Sequence, residues 1–106
     1  MIRLAVFGKP VLHSLSPRIH RRFAAQFGIE IDYRAIEADP ASFPRQLASL
    51  ARDGGLGCNV TAPLKNEAWK LSVRCSDAAA RAQAANTLTW QSSGWFAHTT
   101  DGVGLM

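Results

Sequence analysis

Four polar clusters combine residue types and spacing that could do chemistry together: Ser14 with Ser16, Thr61 with Lys65, Asn86, and Thr100 with Asp101. Two hydroxyls beside a helix N-terminus suit a carboxylate, because hydroxyls and unpaired amides donate while the helix dipole favours negative charge. Threonine, asparagine and aspartate suit a polyhydroxylated ligand. A lysine within reach of an aspartate can pass a proton to and from a reacting oxygen. Each residue also has a plainer explanation. Ser16 precedes Pro17 and can serve as a helix N-cap, Ser14 can be a loop serine, and Lys65 can be a solvated helix lysine. Asp101 can cap a helix, and Asn86 can bond to its own turn. His13 and His20 flank the serine loop, but the sequence offers neither an aspartate partner, so both read as structural.

The elements that must position these residues follow from punctuation and periodicity. Residues 59–65 (Asn-Val-Thr-Ala-Pro-Leu-Lys) read as a strand end running into a helix start, with a buried strand over 56–60, Pro63 as first helical residue and Lys65 in the opening turn. Upstream, residues 2–8 form an apolar strand closed by Gly8, and a helix follows over 17 to about 27, started by Ser16 and Pro17 and stopped by Gly28. Ile19, Phe23 and Phe27 share one face of that helix, and Arg18, Arg21 and Arg22 take the wetter side. A strand over 31–38 alternates Ile31, Tyr33 and Ala35 against Asp32 and Arg34, and a helix over about 43–52 ends at Gly54 and Gly55.

Strand, helix, strand, helix, strand with short connections implies right-handed βαβ units and a largely parallel sheet. The helix after Pro63 runs to about residue 71. Ser76 or Asp77 then caps a short alanine-rich helix through Ala84. Residues 86–90 and 95–99 flank Gln91-Ser92-Ser93-Gly94 and read as a β-hairpin, and Thr100-Asp101-Gly102 opens a new helix near Val103. The expected fold is therefore an α/β, three-layer α/β/α domain with a mainly parallel mixed sheet and a C-terminal hairpin. A helix start so close to Met106 implies a boundary there rather than a natural end.

Composition narrows the function classes. With 106 residues, 47% of them apolar, the chain suits one compact domain with a moderate core. Its net charge of +4 comes from scattered arginines, of which only Arg21 and Arg22 are adjacent, so the clustered basic face of a nucleic-acid binder is not expected. Attraction for small anions remains. Cys58 and Cys75 lack the close pairing or neighbouring histidines of a zinc site and are expected to be reduced and buried. No long apolar run follows a basic start, so neither a secretion signal nor a membrane span is expected, and the cytoplasm is the expected compartment. No repeat or low-complexity tract is visible.

Residues 8–17 with His20, residues 57–65 (Gly-Cys-Asn-Val-Thr-Ala-Pro-Leu-Lys), residues 84–88 (Ala-Ala-Asn-Thr-Leu) and residues 100–104 (Thr-Asp-Gly-Val-Gly) together resemble shikimate dehydrogenase, in the family's order and over essentially the whole chain. The resemblance implies that residues 1–106 are the N-terminal substrate-binding domain, followed in the family by a nicotinamide-binding Rossmann domain outside this chain. No G-x-G-x-x-G fingerprint occurs here, in keeping with NADP being held mainly by that second domain.

By resemblance, Ser14 and Ser16 bind the shikimate carboxylate, while Thr61, Asn86 and Asp101 surround the ring hydroxyls. Lys65 is implied as the catalytic lysine working with Asp101. The implied reaction is the reversible, NADPH-dependent reduction of 3-dehydroshikimate to shikimate in aromatic amino-acid biosynthesis. The isolated chain would bind substrate without turning it over.

Alternatives are a quinate/shikimate or aminoshikimate dehydrogenase, or a free-standing small-acid binding or regulatory module. No metal, nucleic acid or membrane is implied as a partner, and a homodimer is left open. The sequence departs from the family at Thr99, where asparagine is common, at Gln83, where glycine is usual, and at Arg21, where asparagine is usual.

Overall fold

The computed structural model describes residues 2–9, 16–91 and 94–99, with the side chains at positions 16, 17, 19, 20 and 23 outside that description. Its elements in chain order are β1 (Ile2–Gly8), α1 (Ser16–Gln26), β2 (Ile31–Glu37), α2 (Phe43–Arg52), β3 (Gly57–Val60), α3 (Lys65–Leu71), β4 (Arg74–Cys75), α4 (Asp77–Ala82), β5 (Thr87–Gln91) and β6 (Gly94–His98). One mixed sheet carries the strands in the order β2-β1-β3-β5-β6-β4. β1 pairs parallel with β2 and β3, β4 pairs parallel with β6, and β5 runs antiparallel to both of its neighbours.

Alternation along the strands sorts side chains between two helical layers. Register aligns Ala5 with Cys58, Phe7 with Val60, Cys58 with Leu88 and Leu88 with Ala97. These residues share one sheet face, and they form a single core with Phe43 and Leu47 of α2, Leu64, Ala68 of α3 and Ala79 of α4. Phe7 meets Phe43 edge-on, ring centroids 5.2 Å apart, and both are fully buried. Burying a side chain of that size contributes about 1.5–3 kcal/mol. On the opposite face Val6 and Tyr33 form a smaller cluster with Leu4, Ile31 and Ala35, and α1 contacts β2 and β1. The three-layer architecture expected from the sequence is the one observed.

Several local expectations need correction. The anticipated face of α1 included Phe27, but the helix ends at Gln26 and Phe27 is 65% exposed in the following turn, its amide donating to the Ala24 carbonyl at 3.0 Å. Among the described α1 side chains, Ala24 is the buried one. The Ile19 and Phe23 side chains lie outside the described residues. Leu56 is not part of β3 and is 53% exposed, because the strand starts at the buried Gly57. Pro63 does not open α3. It follows a cis peptide bond in a turn closed by the Leu64 amide donating to the Thr61 carbonyl at 3.0 Å, and the helix begins at Lys65. The strand β4 was not anticipated. It is two residues long and is flanked by bonds from the Val73 amide to the Trp95 carbonyl and from the Ser76 amide to the Ala97 carbonyl, each 2.9 Å.

α4 stops at Ala82 rather than Ala84 because Gln83 takes left-handed backbone angles, φ 52° and ψ 40°. It is the one non-glycine residue with positive φ among the described residues. The Ser76 hydroxyl caps the other end by accepting from the Ala79 amide at 3.1 Å. A left-handed conformation costs an L-residue about 1–2 kcal/mol, part of which glycine returns through the greater entropy of its unfolded chain. Gln83→Gly should therefore stabilise the domain by about 0.5–1 kcal/mol, read as a higher urea midpoint with an unchanged slope. The bond from Asn66 Nδ2 to the Gln83 carbonyl, 2.7 Å, uses backbone and survives the change.

Candidate functional site

Strand polarity decides which residues meet. β1, β3 and β6 point the same way and β5 points against them, so the ends of β1, β3 and β6 share an edge with the beginning of β5. Gly8, Thr61, Asn86 and Thr99 thus fall side by side. Backbone bonds lock them together. The Thr61 amide donates to the Phe7 carbonyl at 2.9 Å, the Val60 amide to Asn86 at 2.8 Å, and the Asn86 amide to His98 at 3.0 Å. The Ala85 amide donates to the Lys65 carbonyl at 2.9 Å, which ties the first residue of α3 to the same edge.

Among the residues singled out from the sequence, Thr61, Lys65 and Asn86 are therefore brought together. Ser16 begins α1, the element that follows β1, and its side chain lies outside the described residues. Ser14, His13, Thr100, Asp101, Gly102 and Val103 also lie outside them, as does the His20 side chain. Thr99 is 8% exposed at the end of β6, so the departure from asparagine there sits in a buried place. Arg21 contributes to architecture: its Nη2 donates to the Tyr33 carbonyl at 3.0 Å and fastens α1 to β2.

The Thr61 hydroxyl lies 3.4 Å from the carbonyls of Phe7 and Ala62, long distances that hold it weakly. It crowds Gly8: a Cβ there would lie 1.9 Å from Thr61 Oγ1. Glycine at the end of β1 is what lets the hydroxyl stand over the edge. Lys65 is half-buried, and nearby Glu67 faces Lys70 at 3.8 Å on the flank of α3.

Close to this edge, Asp39 and Ser42 exchange bonds, the Ser42 amide donating to Asp39 Oδ1 at 2.9 Å and the Asp39 amide to Ser42 Oγ at 3.2 Å. The Ser42 amide is the main reason the Asp39 carboxyl is held below the usual carboxylate range, and the Lys9 charge adds to it. Cys58 is buried on the α2 face, where desolvation pushes its thiol well up and keeps it neutral, so it is no nucleophile. Cys75 is half-buried rather than buried, and both cysteines are free.

Two polar contacts escaped the sequence reading. The Tyr33 hydroxyl, on a residue 2% exposed, donates to Asn59 Oδ1. The Thr87 hydroxyl donates to Asn86 Oδ1 at 3.1 Å. Asn59 and Thr87 are register partners on the face shared with Val6. A polar residue inside an otherwise apolar strand was the available signal for Asn59. Far from this edge, a groove of about 440 Å³ lies between α2 and the hairpin, lined by Leu47, Ala51, Leu71, Trp90 and Trp95. Its lining is apolar apart from Arg52 and offers no acid/base chemistry.

Among the described residues no three histidine, cysteine or acidic side chains could hold a metal ion. Among them too, no helix is long and apolar enough to cross a membrane. The backbone bonds thus bring to one edge residues that carry a hydroxyl, an amine and a carboxamide, groups suited to a small oxygen-rich ligand with a proton to exchange.

Comparison with known proteins gives these features a context. The family model described as shikimate dehydrogenase substrate binding domain matches residues 6–88. The chain is 52% identical over 104 residues, 98% of its own length, to a shikimate dehydrogenase (NADP(+)) of Xanthomonas campestris pv. campestris strain 8004. It spans 37% of the length of that relative. Among solved structures, an Ael1 enzyme from Pseudomonas putida matches with a TM-score of 0.92 at 39% identity, over 99% of this chain and 39% of that one. Shikimate 5-dehydrogenase from Thermus thermophilus in complex with shikimate matches with a TM-score of 0.88 at 36% identity, over 95% of this chain and 39% of that one.

Proposed function

The chain belongs to the shikimate dehydrogenase substrate-binding domain family, and on that premise we propose that it forms the substrate half of an NADP-dependent shikimate dehydrogenase. The reaction is the reversible reduction of 3-dehydroshikimate to shikimate. The observation that carries this reading is the backbone stitching of Thr61, Lys65 and Asn86 onto one sheet edge.

In this reading Lys65 is the acid/base. As the ketone is reduced, negative charge grows on its oxygen, and the ammonium both stabilises that charge and delivers the proton; in oxidation the amine takes it back. Asp101 orients Lys65 and the reacting hydroxyl. Thr61 and Asn86 hold the ring hydroxyls, and Ser14 and Ser16 donate to the carboxylate at the start of α1.

NADPH supplies the hydride. The β1 to α1 connection, residues 9–15, contains no glycine to let a backbone approach a pyrophosphate, so the residues present do not fit a nucleotide site. Holding the cofactor is the work of a further, C-terminal domain, as the 37% coverage of the Xanthomonas relative supports. The two free cysteines support a reducing compartment, the cytoplasm.

The test is an assay of the full-length dehydrogenase carrying this chain, with shikimate and quinate offered separately alongside NADP+ or NAD+. Shikimate with NADP+ should be oxidised fastest, followed by the absorbance of the reduced cofactor. Preference for quinate would move the assignment to the quinate class. Absence of turnover with either acid would leave a binding or regulatory module.

A further inference from the structure

We propose that Asn66 is a positioning residue that aims the Lys65 ammonium, an inference that rests on the reading of Lys65 as the acid/base. Lys65 and Asn86, which must address one ring, stand on different supports. Asn86 is fastened to the sheet, its amide donating to the His98 carbonyl and its carbonyl accepting from the Val60 amide. Lys65 opens the first turn of α3, which is held down by the fully buried Leu64 just before it and Ala68 within it. Apolar packing is non-directional, so it seats the turn without fixing its rotation about the helix axis.

Hydrogen bonds supply the missing direction. The Lys65 carbonyl accepts from the amide of the buried Ala85 at 2.9 Å, and Asn66 Nδ2 donates to the Gln83 carbonyl at 2.7 Å. Both partners lie in the short stretch that leads directly into Asn86. Gln83 presents its carbonyl there because its left-handed backbone ends α4. A peptide carbonyl only accepts, so the end of the Asn66 carboxamide that meets it is the donor end. One tie is a pivot. Two ties, from adjacent residues of α3, stop the turn from rolling against the segment that carries Asn86. The direction of the Lys65 side chain follows, and a misplacement of about 1 Å at a catalytic group can cost about 10²-fold. Asn66 itself is exposed and acts through its neighbour.

The measurement is a set of variants in the full-length dehydrogenase, with kcat, the KM for shikimate and a thermal melt for each. Asn66→Ala removes the donor while favouring the helix, and should lower kcat about fivefold, the scale of one neutral hydrogen bond, with the KM for shikimate held. Asn66→Leu keeps the branching of the side chain without a donor and should lose as much. In a Lys65→Ala background Asn66→Ala should lower kcat no further, since the group it aims is gone. A variant that had merely lost folded enzyme would carry its deficit into that background.

Wild-type kcat in Asn66→Ala or in Asn66→Leu, whatever the KM, would overturn the inference and leave Lys65 as the acid/base. A loss of kcat that persists in full without the Lys65 amine would do the same. Wild-type kcat in Lys65→Ala would instead remove the acid/base reading and the inference together.

Discussion

Lys65→Ala in the full-length dehydrogenase should lower kcat by about 10²-fold or more, the usual scale for losing a general acid/base, while the KM for shikimate changes little. The placement of Lys65 makes this a clean experiment. It is the first residue of α3, and its backbone contact at the edge is made by its carbonyl, which accepts from Ala85 and is untouched by the substitution. Alanine is also the better helix former, which favours retention of the fold. A thermal melt that stays put while turnover collapses would separate chemistry from folding. An unchanged kcat would end the assignment of Lys65, whatever the melt shows.

Gly8→Ala should act on binding and stability at once. The new Cβ would stand 1.9 Å from Thr61 Oγ1 and 3.3 Å from Thr61 Cβ, and the threonine can escape only by turning its hydroxyl away from the edge. Overpacking of this kind costs about 1–3 kcal/mol. The displaced hydroxyl should raise the KM for shikimate about tenfold, the scale of a lost hydrogen bond together with a misplaced neighbour. The two effects have different owners. A lowered melting temperature with an unchanged KM would show that the Thr61 hydroxyl does not hold the substrate, leaving Gly8 a purely structural residue.

Much of this fold was legible because punctuation and periodicity agreed. Gly28 follows α1, Gly54 and Gly55 follow α2, and the alternation from Ile31 to Ala35 put Tyr33 inward and Arg34 outward as observed. Elements resting on tertiary pairing alone were not. β4 is a two-residue strand held by its neighbour β6, and no local pattern marks it. The helix start was misplaced at Pro63 because a proline that can open a helix can equally belong to the turn before it.

At the site, residue types pointed to Thr61, Lys65 and Asn86, but their meeting depended on β5 running against β3, which requires the sheet order. The bonds from Tyr33 to Asn59 and from Thr87 to Asn86 depended on register or rotamer and were not readable in advance. Gln83 was the opposite case. Its departure from the family's glycine was visible in the sequence, and the left-handed backbone supplies the physical reason glycine is favoured there.

The hairpin of β5 and β6 enters and leaves at the sheet edge that carries Asn86 and Thr99, while its far end pairs Gln91 with Gly94. Chain added or removed in matched amounts on both arms at that far end would leave the inward and outward alternation intact. One extra residue in a single arm would instead either be absorbed as a bulge or shift the pairing register by one, and such a shift would turn Leu88 or Ala97 out of the core. Matched changes in length at that end are therefore compatible with this core, whereas an unmatched one calls for a bulge to absorb it.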